Sequence, residues 1–144
     1  MTPRPAAAAL LALLALGGTS AAAAADPLVG RWRTQAEGGV VEILPCGAAL
    51  CGRVVDGIPL RADPDRRDIR NGNAALRTRK VMGLRVLNGF TGGPREWKGG
   101  PVYDPASGSG AKKGVLTLVD RNTLEVKGCL ALFLCRTQIW TRVR

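Results

Sequence analysis

The chain has 144 residues, a net charge of +10 from 21 Lys and Arg against 11 Asp and Glu, and no histidine. The lack of histidine excludes Ser-His-Asp and Cys-His catalytic arrangements and the zinc-protease motif HExxH. The positive charge favours anionic partners, but it is spread along the chain, which is also typical of a small secreted domain that is simply kept soluble.

Residues 1–25 have the pattern of a secretion signal. Arg4 supplies a positive charge, Ala6–Leu16 is apolar, and Ala23-Ala24-Ala25 matches an A-x-A cleavage site. As a membrane anchor the apolar stretch would be too short to span roughly 30 Å of hydrocarbon. We therefore predict cleavage near Ala25, a periplasmic or secreted location, and one domain over residues 26–144 that is monomeric and not transmembrane.

Four cysteines form two pairs that are close in sequence, Cys46 with Cys51 and Cys129 with Cys135. An exported chain is in a compartment where disulfides persist, and four cysteines allow three pairings. Both spacings suit a bridge across the end of a hairpin, so the local pairing is favoured. A zinc site is the alternative, but these spacings differ from the usual Cys-x2-Cys and no histidine is available. We expect no metal and no cofactor.

The segment after the signal predicts an all-β fold of about eight strands, because Gly and Pro punctuate short apolar and β-branched runs. Eight antiparallel strands with local connections favour a closed up-and-down barrel, in which no edge stays exposed; a sandwich is the alternative. Gly99-Gly100 predicts a bulge or a close backbone approach, and Asp104–Gly110 a turn. The predicted strands are Val29–Thr34, Val40–Leu44, Leu50–Val55, Val81–Phe90, Glu96–Tyr103, Val115–Val119, Thr123–Cys129 and Thr137–Val143.

Asp56–Arg79 differs from the strands around it. It contains Pro59, Pro64 and an Asn71-Gly72-Asn73 turn, which predict one long irregular crossover with a helical turn near Ala74–Arg77. A loop of this length in a compact domain is often functional, although a solvated cover without a role fits the sequence equally well.

The sequence resembles known families in two ways. One resemblance is carried by the first and last predicted strands, and the other by nearly the whole predicted domain. Gly30-Arg31-Trp32 on the first strand and Trp140-Thr141-Arg142 on the last are similar to the calycin, or lipocalin-like, pattern. That resemblance implies structural roles for Trp32, Trp140 and Arg142, with the arginine packed over the first tryptophan to seal one barrel end. A desolvated guanidinium on an indole face contributes about 2 kcal/mol.

Nearly all of the predicted domain also resembles the DUF2147 family of exported bacterial proteins. This resemblance implies a lipocalin-like barrel in the cell envelope and no established activity. It is carried by Gly30-Arg31-Trp32, Val41-Glu42-Ile43, Cys51–Val55, Asp68 and Asn71 with Leu76, Arg77 and Arg79, Gly83-Leu84, Trp97–Pro105, Leu124–Cys129 and Gln138–Val143.

Barrel mouths and interiors are the usual ligand sites of this fold class, and six residues are candidates for ligand binding. The aromatic candidates are equally suited to the core, and the polar ones to turn capping and to an arginine–carboxylate clamp. The candidate residues are Trp97, Tyr103, Asp68, Asn71, Arg77 and Arg79.

The favoured hypothesis is a non-enzymatic binding module for a small apolar or amphiphilic ligand. The alternative is a basic envelope-interaction protein that binds lipopolysaccharide, anionic lipid or another protein. An enzyme built on paired carboxylates is the third hypothesis, but no pair of Asp or Glu stands out. Nucleic acid is not an expected partner, because aromatic residues are few and no recognition motif is present.

Overall fold

The structure, a computed structural model, describes residues 1–3, 18, 24–131 and 133–144. The predicted signal peptide, 1–25, therefore lies almost entirely outside the described residues. Within the described part, none of the helices has the length and apolar character needed to cross a bilayer. The strands are β1 (Gly30–Arg33), β2 (Val40–Cys46), β3 (Ala49–Asp56), β4 (Arg85–Gly92), β5 (Glu96–Gly99), β6 (Val102–Asp104), β7 (Ser109–Ala111), β8 (Lys113–Asp120), β9 (Thr123–Ala131) and β10 (Leu134–Arg142).

The strands close into an eight-stranded antiparallel barrel, which confirms the predicted fold class. β1 pairs with β10, and β3 pairs with β4, so that neither side of the sheet is left open. Two barrel strands are each built from two segments. β5 pairs with β4 at Thr91 and Gly92, whereas β6 pairs with it at Leu87. On the other side of this composite strand, β7 pairs with β6 and β8 pairs with β5, so β7 and β8 together form the second composite strand.

The break between β5 and β6 has a steric cause. A Cβ atom on Gly99 would collide with the backbone of Gly89 and Phe90. Gly100 has a φ of 141°, a conformation that favours glycine, and Pro101 has no N–H to donate to a neighbouring strand. The close backbone approach predicted at Gly99-Gly100 is thus confirmed.

The crossover between β3 and β4 contains more regular structure than the sequence indicates. The predicted helical turn is confirmed as a 3-10 helix over Ala74–Leu76, but a short α-helix, α1 (Ile58–Ala62), was not predicted. Pro59 stands in its first turn, where a proline needs no N–H partner. Gly57 precedes it, and the Gly57 amide donates to Asp56 Oδ1 at 2.8 Å. This helix lies where β3 leaves the barrel.

Several predicted boundaries differ from the structure. The fourth strand begins at Arg85 and not at Val81, because Leu84 N donates to Val81 O in a turn through Gly83. β7 begins inside the segment predicted as the Asp104–Gly110 turn. β10 begins at Leu134, so the last hairpin is longer than predicted.

One end of the barrel, the closed end, is sealed by Arg142. Its guanidinium lies 4.1 Å from the centroid of the Trp32 ring. It also donates to the carbonyls of Pro27 at 2.6 Å, Val29 at 3.3 Å and Arg121 at 2.6 Å. Trp32 is fully buried, and its indole N–H donates to Leu28 O at 2.9 Å. The segment that precedes β1 is therefore fastened across the end of the barrel.

We expect Arg142→Ala to lower the free energy of unfolding by about 2 to 4 kcal/mol, because both the stacking and the charged hydrogen bonds are lost. Arg142→Lys should recover less than half of that loss, since an ammonium keeps the charge but cannot stack flat while reaching three carbonyls. Urea unfolding followed by tryptophan fluorescence measures both. Equal stability of the two variants would contradict the seal.

Candidate functional site

The predicted disulfides, Cys46–Cys51 and Cys129–Cys135, are both present. The first joins β2 to β3 at the closed end, and the second joins β9 to β10 at the opposite end, here called the open end. No group of three or more Cys, Asp or Glu suited to a metal ion occurs among the described residues.

The open end contains a mainly apolar cavity of about 80 Å³ that is partly open to solvent. Its walls come from the barrel interior, with Trp140 of β10 at one side and α1 above. The turn that follows β6 forms another side. The barrel side chains that line it include Val40, Val41, Val54 and Val86, and the covering residues are Pro59 and Leu60.

Helix α1 covers this cavity and is held at both ends. Leu60 is buried in the core, and Ile58 N donates to Glu37 O at 3.1 Å. Arg61 forms a two-point ion pair with Asp56, at 2.9 and 2.6 Å. The hydrogen bonds from Arg61 and from the Gly57 amide lower the pKa of Asp56 to about 2, so the clasp is charged at any pH well above that value.

One arginine at the cavity is not a sequence candidate. Arg66 lines the cavity and is half-buried. Among the described residues it takes part in no ion pair, unlike Arg61 and Arg79. An arginine that lines a mainly apolar cavity without a carboxylate partner is suited to binding an anionic group on a bound molecule. Nothing in the sequence separates Arg66 from the other arginines of the crossover.

Four of the six sequence candidates meet in one polar cluster. The Asp68 side chain is completely buried and accepts hydrogen bonds from Tyr103 Oη at 2.6 Å, Arg79 Nε at 2.8 Å and Asn71 Nδ2 at 2.9 Å. The Arg79 guanidinium also lies 5.2 Å from the Tyr103 ring centroid. These contacts satisfy the buried carboxylate and tie the crossover to β6.

The remaining two candidates lie apart from this carboxylate. Arg77 Nε donates to the backbone oxygen of Asn71 at 2.8 Å, which supports the turn rather than a ligand surface. Trp97 is buried near the closed end, and its indole N–H donates to Asp26 Oδ2 at 3.2 Å. Of the sequence candidates, Tyr103 alone lines the apolar cavity.

A second cleft of about 130 Å³ opens beside the cavity. Trp140 borders the cavity, Gln138 borders the cleft, and the two are joined by a hydrogen bond from Trp140 Nε1 to Gln138 Oε1 at 2.8 Å. Asp104 borders both spaces. The cleft is bounded on its outer side by Leu130 and Leu134 of the last hairpin. The open end thus offers two adjoining spaces that are similarly accessible to solvent.

The environment of Tyr103 is measurable, because the chain has one tyrosine. Burial, followed by the hydrogen bond to Asp68, raises the pKa of Tyr103 from its ordinary 10.0 to about 12. The tyrosinate ultraviolet absorbance should therefore appear near pH 12. In Asp68→Asn the negative charge is gone, so the midpoint should fall while burial keeps it above 10.

The sign of the accompanying stability change follows from the same shift. The folded state holds the phenol proton more tightly than the unfolded state, so its stabilising contribution is complete below pH 10 and disappears as the pH rises toward 12. Tyr103→Phe is the control, since it removes both the absorbance change and this alkaline loss of stability. A wild-type midpoint near 10 would contradict the buried Tyr103–Asp68 contact.

Comparison with known proteins agrees with this geometry. Among solved structures, the fold is similar to that of a protein from the human pathogen Helicobacter pylori that is described as belonging to the lipocalin family, with a TM-score of 0.69, 21% identity, and coverage of 81% of this chain and 83% of that one. At this identity the likeness shows the fold alone. No curated protein matches the sequence. Residues 30–142 match DUF2147, described as an uncharacterized protein conserved in bacteria, and the chain belongs to this family.

Proposed function

We propose that the protein is a non-enzymatic binding module for a small amphiphilic ligand, whose apolar part enters the cavity under α1 and whose anionic group meets Arg66. The observation that carries this proposal is a mainly apolar cavity under α1 with a half-buried arginine in its lining that forms no ion pair among the described residues. Apolar walls with a few placed polar groups are the usual composition of small-molecule sites. The lipocalin-like fold supports a binding role.

The size of the cavity limits the ligand. At about 80 Å³ it is smaller than the roughly 150 Å³ cavity known to hold benzene. A short acyl segment or a small ring fits, whereas a longer chain must extend into the neighbouring cleft or displace α1. The Asp56–Arg61 clasp is exposed and therefore contributes little to holding the helix, so the cost of displacing α1 comes mainly from exposing the buried Leu60 side chain.

The buried polar cluster has a supporting role in this proposal. The buried Asp68 carboxylate already accepts hydrogen bonds from Tyr103, Asn71 and Arg79 Nε, so it is satisfied within the protein. A ligand gains little from groups that are already paired. The cluster instead fixes the Tyr103 ring as part of the cavity wall, which keeps the site preorganised.

The other hypotheses receive less support. Among the described residues that line the cavity, Arg66 is the one positively charged side chain, and it combines partial burial with the absence of an ion pair. The shared fold favours ligand binding over the diffuse basic-surface alternative. The two disulfides are consistent with an extracytoplasmic protein, as the binding of an envelope or environmental amphiphile requires.

Arg66→Gln should weaken the binding of straight-chain fatty acids, from hexanoic to dodecanoic acid, by about tenfold or more, because a charged hydrogen bond is lost. The matching alcohols have no anionic group, so their affinity should not change. Isothermal titration calorimetry on both series measures the difference, and Arg85→Gln, an exposed arginine on β4, is the control. The same loss for acids and alcohols would show that Arg66 does not contact the anionic group.

Filling the cavity tests the apolar half of the site. Val54→Phe places a larger side chain in a space lined by Val54, so binding of acids and alcohols should both be lost, at a cost of about 1 to 3 kcal/mol in stability. Val119→Phe makes the same change at an exposed position of β8 and should leave binding intact. Undiminished binding by folded Val54→Phe would place the ligand elsewhere.

A further inference from the structure

The hairpin that joins β9 to β10 presents apolar side chains to solvent. Leu130 is 72% exposed, Phe133 95% and Leu134 65%. A soluble domain rarely leaves neighbouring large apolar residues uncovered without a partner for them. The Cys129–Cys135 disulfide lies at the base of this tip, so the three side chains are held on a fixed support.

Positively charged side chains surround the base of the tip. β-sheet register places Lys113 opposite Cys129, Arg136 opposite Gly128, and Lys127 opposite Thr137. Lys112 precedes Lys113 in the chain, and all four basic residues are exposed. Within the described part of the chain none of the four has an ion-pair partner. We call Leu130, Phe133 and Leu134 the apolar tip, and Lys112, Lys113, Lys127 and Arg136 the basic collar.

We propose that the apolar tip and the basic collar form a docking surface for an anionic phospholipid bilayer. Leu and Phe side chains enter the boundary between headgroups and acyl chains, and Lys and Arg behind them meet the negative headgroups. This arrangement differs from a diffuse basic surface, because its apolar and charged parts are arranged in layers about one hairpin.

Charge complementarity distinguishes the bilayer from a second copy of this chain. Two tips placed against each other would bring two basic collars together, which costs free energy through like-charge repulsion. Three exposed side chains also cover much less area than a stable dimer interface needs. An anionic bilayer accepts a small apolar insertion and is attracted by the collar.

Docking in this orientation would turn the open end toward the bilayer. Leu130, Leu134 and Arg136 belong both to this surface and to the wall of the open cleft. An amphiphile leaving the bilayer would meet the cleft first and then the cavity under α1. The docking surface goes beyond the proposed ligand site, and it is tested on protein without added ligand.

The experiment is co-sedimentation of the purified exported protein with vesicles of phosphatidylglycerol and phosphatidylcholine in equal amounts, compared with pure phosphatidylcholine. We expect binding to the anionic vesicles that weakens as salt rises. Phe133→Ser combined with Leu130→Ser should reduce that binding at least tenfold, whereas Val119→Ser, an exposed position at the closed end, should not.

The collar is tested with Lys112→Glu combined with Lys113→Glu, which should abolish anionic binding. Arg95→Glu combined with Arg121→Glu makes the same charge change at the closed end and should reduce it only slightly. All of these positions are exposed, and near-ultraviolet circular dichroism verifies the fold of each variant.

Three results would overturn the proposal. They are equal binding to both kinds of vesicle, equal losses in tip and control variants, and a wild-type dimer in analytical ultracentrifugation that becomes monomeric in the tip variant. Fatty-acid calorimetry with Phe133→Ser alone, which changes a residue that lines neither the cavity nor the cleft, reports separately on ligand binding, so failure of docking is distinguishable from failure of ligand binding.

Discussion

The stacking of Arg142 on Trp32 is the interaction on which the rest of the barrel depends. It joins the last strand to the first and draws in the segment before β1, because the same guanidinium donates to the carbonyls of Pro27 and Val29. Burial lowers the pKa of Arg142, so holding this charge there requires the indole face and the carbonyls together. With this end sealed, large aromatic side chains fill the interior near it, and the cavity under α1 lies toward the other end.

A second constraint is the buried Asp68 carboxylate, which organises the crossover. A charge taken out of water is costly unless every lone pair finds a donor, and removing one partner of such a group is more harmful than never having buried it. Tyr103, Arg79 and Asn71 supply those donors from β6 and from two points of the crossover. These hydrogen bonds hold the irregular crossover in one position over the barrel, and they fix Tyr103 as part of the cavity wall.

The sequence predicts the barrel, its closure and the local disulfides, because these follow from strand periodicity, from turn residues and from short cysteine spacings. It also brings Asp68, Asn71, Arg79 and Tyr103 into one candidate set, although their roles differ from ligand binding in the proposal made here. It could not separate Arg66 from the other arginines of the crossover, since the difference is that Arg66 lines the cavity, and which arginine lies there depends on the folded crossover. Helix α1 was not predicted because five residues are too few for a helical period. Trp97 was included among the ligand-binding candidates because the sequence does not reveal which barrel end an aromatic side chain on a strand is near.

The two disulfides show how the ends of the barrel divide their tasks. The Cys46–Cys51 disulfide joins β2 to β3 at the end sealed by Arg142, where the side chains of the barrel interior are packed. Cys129–Cys135 fastens the hairpin that carries Leu130, Phe133 and Leu134, where packing provides no support because the side chains are in solvent. A covalent bridge is most useful where the hydrophobic effect does not hold the chain in place. An exposed apolar tip on a disulfide-bridged hairpin suits the proposed docking surface, and the cleft lies directly beside it.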